Sequence, residues 1–212
     1  MRVARGGHVP KLHECTVADL CPTQITVGMI EVRDKRKHLE QLGHHARRDY
    51  LEAHPIPAVF GPEAALYITD HHHLARALWE AGIGSGLFLV EADFTALHPR
   101  AFWTEMDVRH WVHPVDAQGK RHGVDALPNH VKELLDDPYR SLAGYVRKAG
   151  GYEKTDTAFA EFLWADFFRH RVRIGPSRED FDAAVRRALT LAHSPEVAHL
   201  PGFLSPGQAR KD

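Results

Sequence analysis

The sequence predicts an α+β fold that has an α/β-type core and a helical C-terminal extension. Two observations predict the core: residues 65–92 show the patterns of a strand, a helix and a strand in succession, and a run rich in Pro, Gly and Asp at 114–127 ends that part. After position 128 the apolar residues recur at helical spacing. The expected units are an arm at 1–15, the core at 16–127, a helical subdomain packed on it at 128–195, and a tail at 196–212.

The first elements are short. The basic arm has no periodicity, and we expect it to be flexible. An apolar strand pattern covers 16–20 and continues into 21–24, after which residues 27–32 precede the basic run 33–37. A turn followed by either a short helix or a short strand fits that stretch.

The next elements build the core. Residues 37–52 are polar with spaced Leu residues, which predicts a surface helix that Gly43 interrupts and the proline-containing residues 54–57 end. The remaining core elements are expected as strands at 58–60, 65–69 and 87–92 and a helix at 74–81. The last strand is almost entirely apolar, so we expect it to be buried on both faces.

The second half of the chain is predicted to be helical. Residues 95–113 have apolar residues at helical spacing, although the second half of this segment fits an extended chain equally well. Residues 114–127 predict an exposed loop. The helices beyond it are expected at 129–135, 140–148, 159–169 and 177–193. The aromatic residues of 159–169 are expected to be core, and the tail is expected to fray.

Composition excludes several classes of protein. Because 27 Lys and Arg oppose 28 Asp and Glu, there is no overall positive field, which argues against a protein that coats duplex nucleic acid. The chain has no apolar stretch of membrane-spanning length and no secretory signal pattern at its N-terminus, so we expect a cytoplasmic protein without a membrane partner. Two cysteines, Cys15 and Cys21, are too few for a disulfide framework or a thiolate zinc site. The oligomeric state is left open.

Histidine is the unusual component, with 17 residues that occur in groups. The run Asp70-His71-His72-His73 lies where a predicted strand meets a predicted helix. Such a join presents the first backbone N–H groups of the helix and the positive end of its dipole, an arrangement that binds phosphate in many folds. We expect Asp70 to cap the helix, and His72, His73 and Arg76 to add donors within its first two turns.

Other interpretations of this join stay open. A carboxylate beside imidazoles is also the composition of a metal site or a general acid–base site. Successive helical residues point about 100° apart, so at most two of the three histidines could bind one ion. His110 and His113 could assist if their segment is helical, but no metal ligand is assigned, and Asp70 is the one candidate. The simplest alternative is that Asp70 only caps the helix and the histidines are solvated.

Residues 67–78, YITDHHHLARAL, resemble the central motif of the ParB/sulfiredoxin superfamily, and in particular its branch of putative ParB-like nucleases. The resemblance continues in residues 20–24, in Val27, Gly28 and Lys35, and in two C-terminal blocks, 137–143 (DPYRSLA) and 159–169. It covers about residues 16–175. A ParB/sulfiredoxin-like domain with a helical C-terminal extension is the fold that it implies.

The join is similar to two motifs of that superfamily. Its partition proteins, which bind CTP, have Gly-x-Arg-Arg-x-Arg-Ala-Ala there, and its free-serine kinases have Asp-Gly-His-His-Arg. The chain matches these motifs at Asp70, His72, His73 and Arg76, and departs from them at His71 and Leu74. The details of phosphate binding are therefore expected to differ from both.

The resemblance does not imply every activity that is known in this superfamily. The kinases have a catalytic Glu in an early Pro-x-Glu, and the corresponding residue here is Gln24, whose amide does not accept a proton as a carboxylate does. Kinase chemistry would then need Glu31 or Glu14 as the second acid. The motif of the sulfiredoxins contains a cysteine, and no cysteine lies at 70–74. DNA reading by a helix-turn-helix is not supported, because the C-terminal aromatic residues have the pattern of core.

The join and the resemblance together predict a protein that binds a phosphate-bearing ligand after Asp70, for phosphoryl transfer or for hydrolysis of a phosphodiester or nucleotide. The alternative is a noncatalytic nucleotide-sensing or partner-binding module that keeps the anion pocket. A nucleotide and Mg²⁺ are the expected cofactors, a nucleotide or another small phosphate compound is the expected partner, and the net charge gives nucleic acid no support. The predicted catalytic residues are Asp70, His72 and His73, and the predicted ligand-binding residues are His71, Arg76, Gln24 and Lys35.

Overall fold

The computed structural model describes residues 12–205, and its architecture is α+β. A mixed sheet forms the centre of the first part of the chain, and three helices form the second part. The elements, in chain order, are β1 (Leu12–Thr16), β2 (Leu20–Pro22), β3 (Thr26–Val27), α1 (Met29–Gln41), α2 (His44–Ala53), β4 (Ile56–Phe60), β5 (Leu66–Ile68), α3 (His72–Glu80), β6 (Ser85–Asp93), α4 (Pro99–Val108), β7 (Leu135–Asp136), α5 (Pro138–Lys148), α6 (Ala160–Arg169) and α7 (Arg178–Ala192).

The five-stranded sheet has the order β1-β6-β4-β5-β2. Strand β4 is parallel to β6 and antiparallel to β5, β2 is parallel to β5, and β1 is antiparallel to β6. A separate two-stranded parallel ladder joins β3 to β7. This ladder ties the segment that follows β2 to the segment that precedes α5, which brings the first and second parts of the chain together.

Three apolar clusters stabilise the fold. Successive strand residues point to opposite faces, so Ala58 of β4 packs with α1 and α3, whereas Val59 packs with Phe102 of α4. The third cluster lies among α5, α6 and α7 and contains Trp164 and Phe168, both fully buried. Trp164, Phe167 and Phe168 are therefore core, as the sequence predicts, whereas Phe159 and Phe162 are only half-buried. Within residues 12–205, no helix has both the length and the apolar character needed to cross a membrane.

Several predicted boundaries are wrong. Residues 12–15, placed in the arm, belong to β1, because their backbone pairs with β6. The helix predicted at 129–135 is instead a short 3₁₀ turn, Val131–Glu133, followed by β7. In the predicted tail Leu204 is buried and the indole N–H of Trp164 donates to the carbonyl of Pro201, so this part packs on the helices. The rest of the predicted arm and tail, 1–11 and 206–212, lies outside the described residues.

Strand β6 also differs from its prediction. Gly86 and Phe88 are buried, whereas Leu87, Leu89 and Val90 are only half-buried. The predicted burial on both faces is wrong: the apolar run is typical of an all-parallel sheet that helices cover on both faces, whereas β6 is parallel to β4 on one side and antiparallel to the edge strand β1 on the other.

Candidate functional site

The join between β5 and α3 has an unusual backbone. His71 is the N-cap residue of α3 and has a left-handed conformation with φ of 60°, and its side chain makes no capping hydrogen bond. The carboxylate of Asp70 accepts the backbone N–H of His71 at 2.6 Å. The prediction that Asp70 caps the helix is therefore wrong by one residue, because its oxygen binds the N–H that precedes the helix. The exposed Asp70 side chain stays at the surface of the join.

His72 faces the protein interior. Its side chain is buried, and its Nε2 atom accepts the backbone N–H of Thr23 at 3.1 Å. The hydroxyl of Thr23 donates to the carbonyl of Ile68 at 2.8 Å, which holds this segment against β5. Burial lowers the pKa of His72 to about 3, although the nearby Asp70 carboxylate opposes the shift. His72 is thus a neutral hydrogen-bond acceptor that fixes the backbone.

His73 has a similar role at the start of α1. Its Nε2 atom accepts the backbone N–H of Gly28, the N-cap residue of α1, at 2.9 Å. Burial and then the positive charge of Arg140 lower the pKa of His73 to about 3. The following N–H groups of α1, those of Met29 and Ile30, donate to side chains of β7 and α5. The first turn of α1 is therefore satisfied by three separate parts of the chain.

These contacts correct the expected chemistry of both histidines. The sequence predicts that His72 and His73 donate to an anion, but each Nε2 atom already accepts a backbone N–H. A ring that is neutral and fixed in this way does not supply positive charge. His72 does not line the cleft described below, whereas His73 does, so a catalytic role of His73 stays a prediction.

Arg76 is not placed to bind a ligand of the cleft. Its Nη1 atom lies 3.3, 2.7 and 2.8 Å from the carbonyl oxygens of Val131, Lys132 and Leu134. Its Nε atom donates to Glu80 at 3.0 Å. The predicted phosphate-binding role of Arg76 is wrong, because its guanidinium anchors the turn before β7 and does not line the cleft.

A cleft of about 700 Å³ opens at the join. Its walls come from the core, from the first turn of α5, from α6 and from the irregular segment 153–159 that connects those two helices. Of the seven predicted site residues, five line it, and these come from three separate segments: Gln24, Lys35, Asp70, His71 and His73. The fold thus brings together most of the predicted site.

Glu31 contributes a second carboxylate to this cleft. It is 5% exposed, and its Oε1 atom accepts from the Nζ of Lys148 at 2.6 Å. Its Oε2 atom lies 3.5 Å from Nε2 of His73. Gly144 leaves room for it, because a Cβ there would lie 2.7 Å from Oε2. From the sequence, Glu31 is only a possible replacement for the catalytic acid that Gln24 lacks. In the structure Glu31 lines the cleft.

Arg140 and Arg147 of α5 also line the cleft, and sequence reasoning missed both as site residues. Arg147 pairs with Glu161 at 2.8 Å, and the same carboxylate lies 3.9 Å from Arg140. The one available signal was that Arg140 belongs to the block 137–143 on which the family resemblance partly rests. That block also has a clear helix start at Asp137, whose carboxylate accepts the N–H of Tyr139.

Charged side chains of both signs line the cleft, and its cations include Lys35, Arg140 and Arg147. Lys35 of α1 faces the same space as the two arginines, and its pKa is lowered, chiefly by burial. The positive charges of Lys148 and Arg147 lower the pKa of Lys35 further, and Glu31 opposes them. Asp70 and Glu91 line the cleft at the join, where Glu91 accepts the hydroxyl of Thr69.

The described residues, 12–205, contain no group of three or more His, Cys, Asp or Glu side chains placed to hold a metal ion. A Mg²⁺ ion at Asp70 would therefore need most of its oxygen ligands from a bound phosphate and from water, as is common for this ion. Mg²⁺ and a nucleotide stay predictions.

Comparisons with known proteins agree with this fold. A family model described as putative ParB-like nuclease matches residues 13–170. No curated protein matches the chain. Among solved structures, the crystal structure of protein Atu1540 from Agrobacterium tumefaciens is similar, with 41% sequence identity and a TM-score of 0.83. The match covers 93% of this chain and 98% of that chain.

Proposed function

The chain belongs to the family of putative ParB-like nucleases, and from this premise we propose that its cleft binds a phosphate-bearing ligand at the join after Asp70. The reaction we propose is phosphoryl transfer or hydrolysis of a phosphodiester or nucleotide. The observation that carries the proposal is the convergence of Gln24, Lys35, Asp70, His71 and His73 on one cleft. These residues come from three separate segments, around positions 24, 35 and 70–73, and they meet where a helix begins.

Three kinds of donor in the cleft suit phosphate. The first turn of α3 provides N–H groups that no side chain of its N-cap residue satisfies, and the helix dipole is positive at that end. Lys35 supplies a positive charge, and the amide of Gln24 supplies N–H donors. Together they would neutralise and orient the oxygens of a bound phosphate.

In the proposed reaction the carboxylate of Asp70 acts as the general base. In hydrolysis, the oxygen of a water molecule attacks phosphorus, Asp70 takes up the proton of that water, and the bond from phosphorus to the leaving oxygen breaks. The leaving oxygen is then protonated from solvent. In phosphoryl transfer, an alcohol of a second substrate replaces the water. Glu31, which is buried and paired with Lys148, positions charge beside the cleft.

A noncatalytic binding module is the second candidate, and one observation favours it. The residue at the position of the kinases' catalytic acid is Gln24, which lines the cleft as a neutral amide. A cleft that keeps the phosphate donors but lacks one acid would bind a nucleotide without converting it.

Single-turnover assays separate these candidates. The probes are a labelled nucleoside triphosphate and a short 5′-labelled oligonucleotide, each tested with and without Mg²⁺, and the variants are Asp70→Asn and, as an exposed control, His45→Ala. Conversion by the wild-type protein that falls at least about tenfold in Asp70→Asn supports the catalytic proposal. Binding without conversion supports the noncatalytic module. If the wild-type protein neither binds nor converts any probe, both candidates are contradicted.

A further inference from the structure

Arg140 is a buried cation for which the proposed reaction has no use. The residue is 4% exposed and lies in the first turn of α5, at the wall of the cleft. Its Nε and Nη1 atoms are buried and have no hydrogen-bond partner among the described residues. Its Nη2 atom is 3.9 Å from the carboxylate of Glu161, which is beyond hydrogen-bond distance.

The neighbouring carboxylates are already engaged. Glu161 accepts a hydrogen bond from Arg147 at 2.8 Å. Asp137 caps α5 and accepts from Arg169 at 2.8 Å. The ring of Phe162 lies 3.5 Å from the guanidinium carbon of Arg140, and this cation–π contact stabilises the charge without providing an oxygen acceptor. Arg140 therefore has its donors available and lacks an oxyanion to receive them.

A buried guanidinium in this state is costly for the folded protein. Burial of a charge that lacks good hydrogen bonds destabilises a fold, and replacement by an apolar residue of similar size is often neutral or stabilising. A ligand that accepts from these donors is one explanation for such a group in a folded protein. Arg140 also lowers the pKa of two neighbouring histidines, His73 and His113, which agrees with a positive potential in this part of the cleft.

Lys35 and Arg147 increase that potential, because both line the same cleft. Oxyanions are the ligands that match guanidinium donors, whether the oxyanion is a phosphate or a carboxylate. The donors of the join belong to the first turn of α3, which follows Asp70, whereas Arg140 belongs to the first turn of α5.

We propose that Arg140, assisted by Arg147, forms a second oxyanion subsite, so that the ligand of the cleft carries another phosphate or carboxylate group besides the phosphate at the join. This inference rests on the proposed function, because it concerns the same ligand. It restricts the substrate class to compounds with two oxyanion groups, such as a nucleotide with more than one phosphate or a phosphorylated carboxylic acid.

The test uses inorganic phosphate and acetate as separate probes of the two oxyanions, with binding measured from the dependence of the melting temperature on probe concentration. The variants are Arg140→Met, which removes the donors, and Arg140→Lys, which keeps the charge. Arg76→Met is the matched control, because Arg76 also belongs to a helix near the join but does not line the cleft.

We expect Arg140→Met to weaken binding of at least one probe about tenfold or more, since hydrogen bonds to charged groups are worth at least that factor. Its ligand-free melting temperature is expected to equal or exceed that of the wild type, whereas Arg76→Met is expected to melt earlier and to bind the probes normally. Arg140→Lys, which tests the charge if Arg140→Met does not fold, is expected to retain part of the binding. The probe whose binding depends on Arg140, phosphate or acetate, shows which kind of oxyanion the subsite prefers.

Equal responses of the wild type and Arg140→Met to both probes, or no response of the wild type to either, would overturn the subsite. Failure of the proposed function has a different signature: nucleoside triphosphate binding that is unchanged in Asp70→Asn and His71→Ala, while the phosphate or acetate response still requires Arg140.

Discussion

The first turns of α3 and α5 each bury a side chain close to the same cleft, and the two side chains differ in charge and in hydrogen bonding. His72 accepts the backbone N–H of Thr23 through Nε2 at 3.1 Å, and only its Nδ1 atom lacks a partner among the described residues. Arg140 lines the cleft, and both its Nε and its Nη1 atoms lack an acceptor among those residues. Burial alone therefore does not distinguish a structural side chain from a ligand-binding one. We expect changes at His72 to reduce stability, and changes at Arg140 to reduce ligand binding.

The largest effect on stability is expected from Trp164→Ala in the helical part. Trp164 is fully buried, stacks on Tyr152 with ring centroids 4.4 Å apart, and donates its indole N–H to Pro201. Removal of this ring should lower the free energy of unfolding by about 3–5 kcal/mol. Urea denaturation measures the change. Leu163→Ala, at the adjacent but 46% exposed position, is the control and should cost much less.

The comparison itself is tested most directly by His72→Ala. The substitution leaves the buried N–H of Thr23 without its acceptor and creates a cavity, so we expect a loss of about 2–4 kcal/mol in the free energy of unfolding. The same denaturation experiment on His45→Ala, an exposed histidine, should show almost no change. If His72→Ala lowers the free energy of unfolding no more than Arg140→Met does, the proposed difference between the two side chains is wrong.

Acid should destabilise the protein through the same histidines. The pKa values of His72 and His73 are lowered to about 3 in the fold, compared with about 6.5 for a free histidine. The unfolded chain therefore binds protons between these values and the folded chain does not, so the stabilisation is complete above about pH 6.5 and is lost as the pH falls towards 3.

Each of the two histidines contributes a slope of up to about 1.4 kcal/mol per pH unit in that window. Urea midpoints measured at several pH values between about 7 and 4 test this, with His72→Gln as the comparison, whose slope should be shallower. A stability that does not change over this range would show that the two rings are protonated in the fold.

The smallest effect on stability is expected from Asp70→Asn. Asp70 is exposed, and an Asn side chain can still accept the N–H of His71, so the melting curve should move by only a few tenths of a kcal/mol. Binding or conversion of a phosphate-bearing probe should nevertheless fall about tenfold or more, because the carboxylate is part of the proposed site. Calorimetric titration of both proteins with a nucleoside triphosphate and Mg²⁺ provides the measurement. Unchanged binding and conversion would leave Asp70 with only its turn hydrogen bond.

Sequence patterns predict the helices best where periodicity and capping agree. The helix expected at 177–193 is present as α7, and Ser177 forms its capping box with Asp180. The helix expected at 129–135 does not form, and the carbonyl oxygens of Val131, Lys132 and Leu134 instead accept hydrogen bonds from Arg76 of α3. Such a long-range contact leaves no mark in the local pattern.

Local sequence patterns predict only part of the candidate site, because the rest of it also depends on long-range contacts. The motif at 70–73 can be recognised from local sequence, because a strand is followed directly by a helix, and in the structure the cleft opens at this join. Which face each histidine occupies depends on residues 23–28, whose N–H groups reach two of the rings. The importance of Arg140 follows from missing acceptors, and these are apparent only when Glu161 and Asp137 are seen to be engaged elsewhere.

A crystal structure of the protein with a nucleoside triphosphate and Mg²⁺ tests the central claim most directly. The account predicts a phosphate group in the cleft, beside Asp70 and within hydrogen-bond distance of the first backbone N–H groups of α3. A triphosphate bound away from the cleft, for example beside Arg76 and the turn at Val131–Glu133, would contradict it.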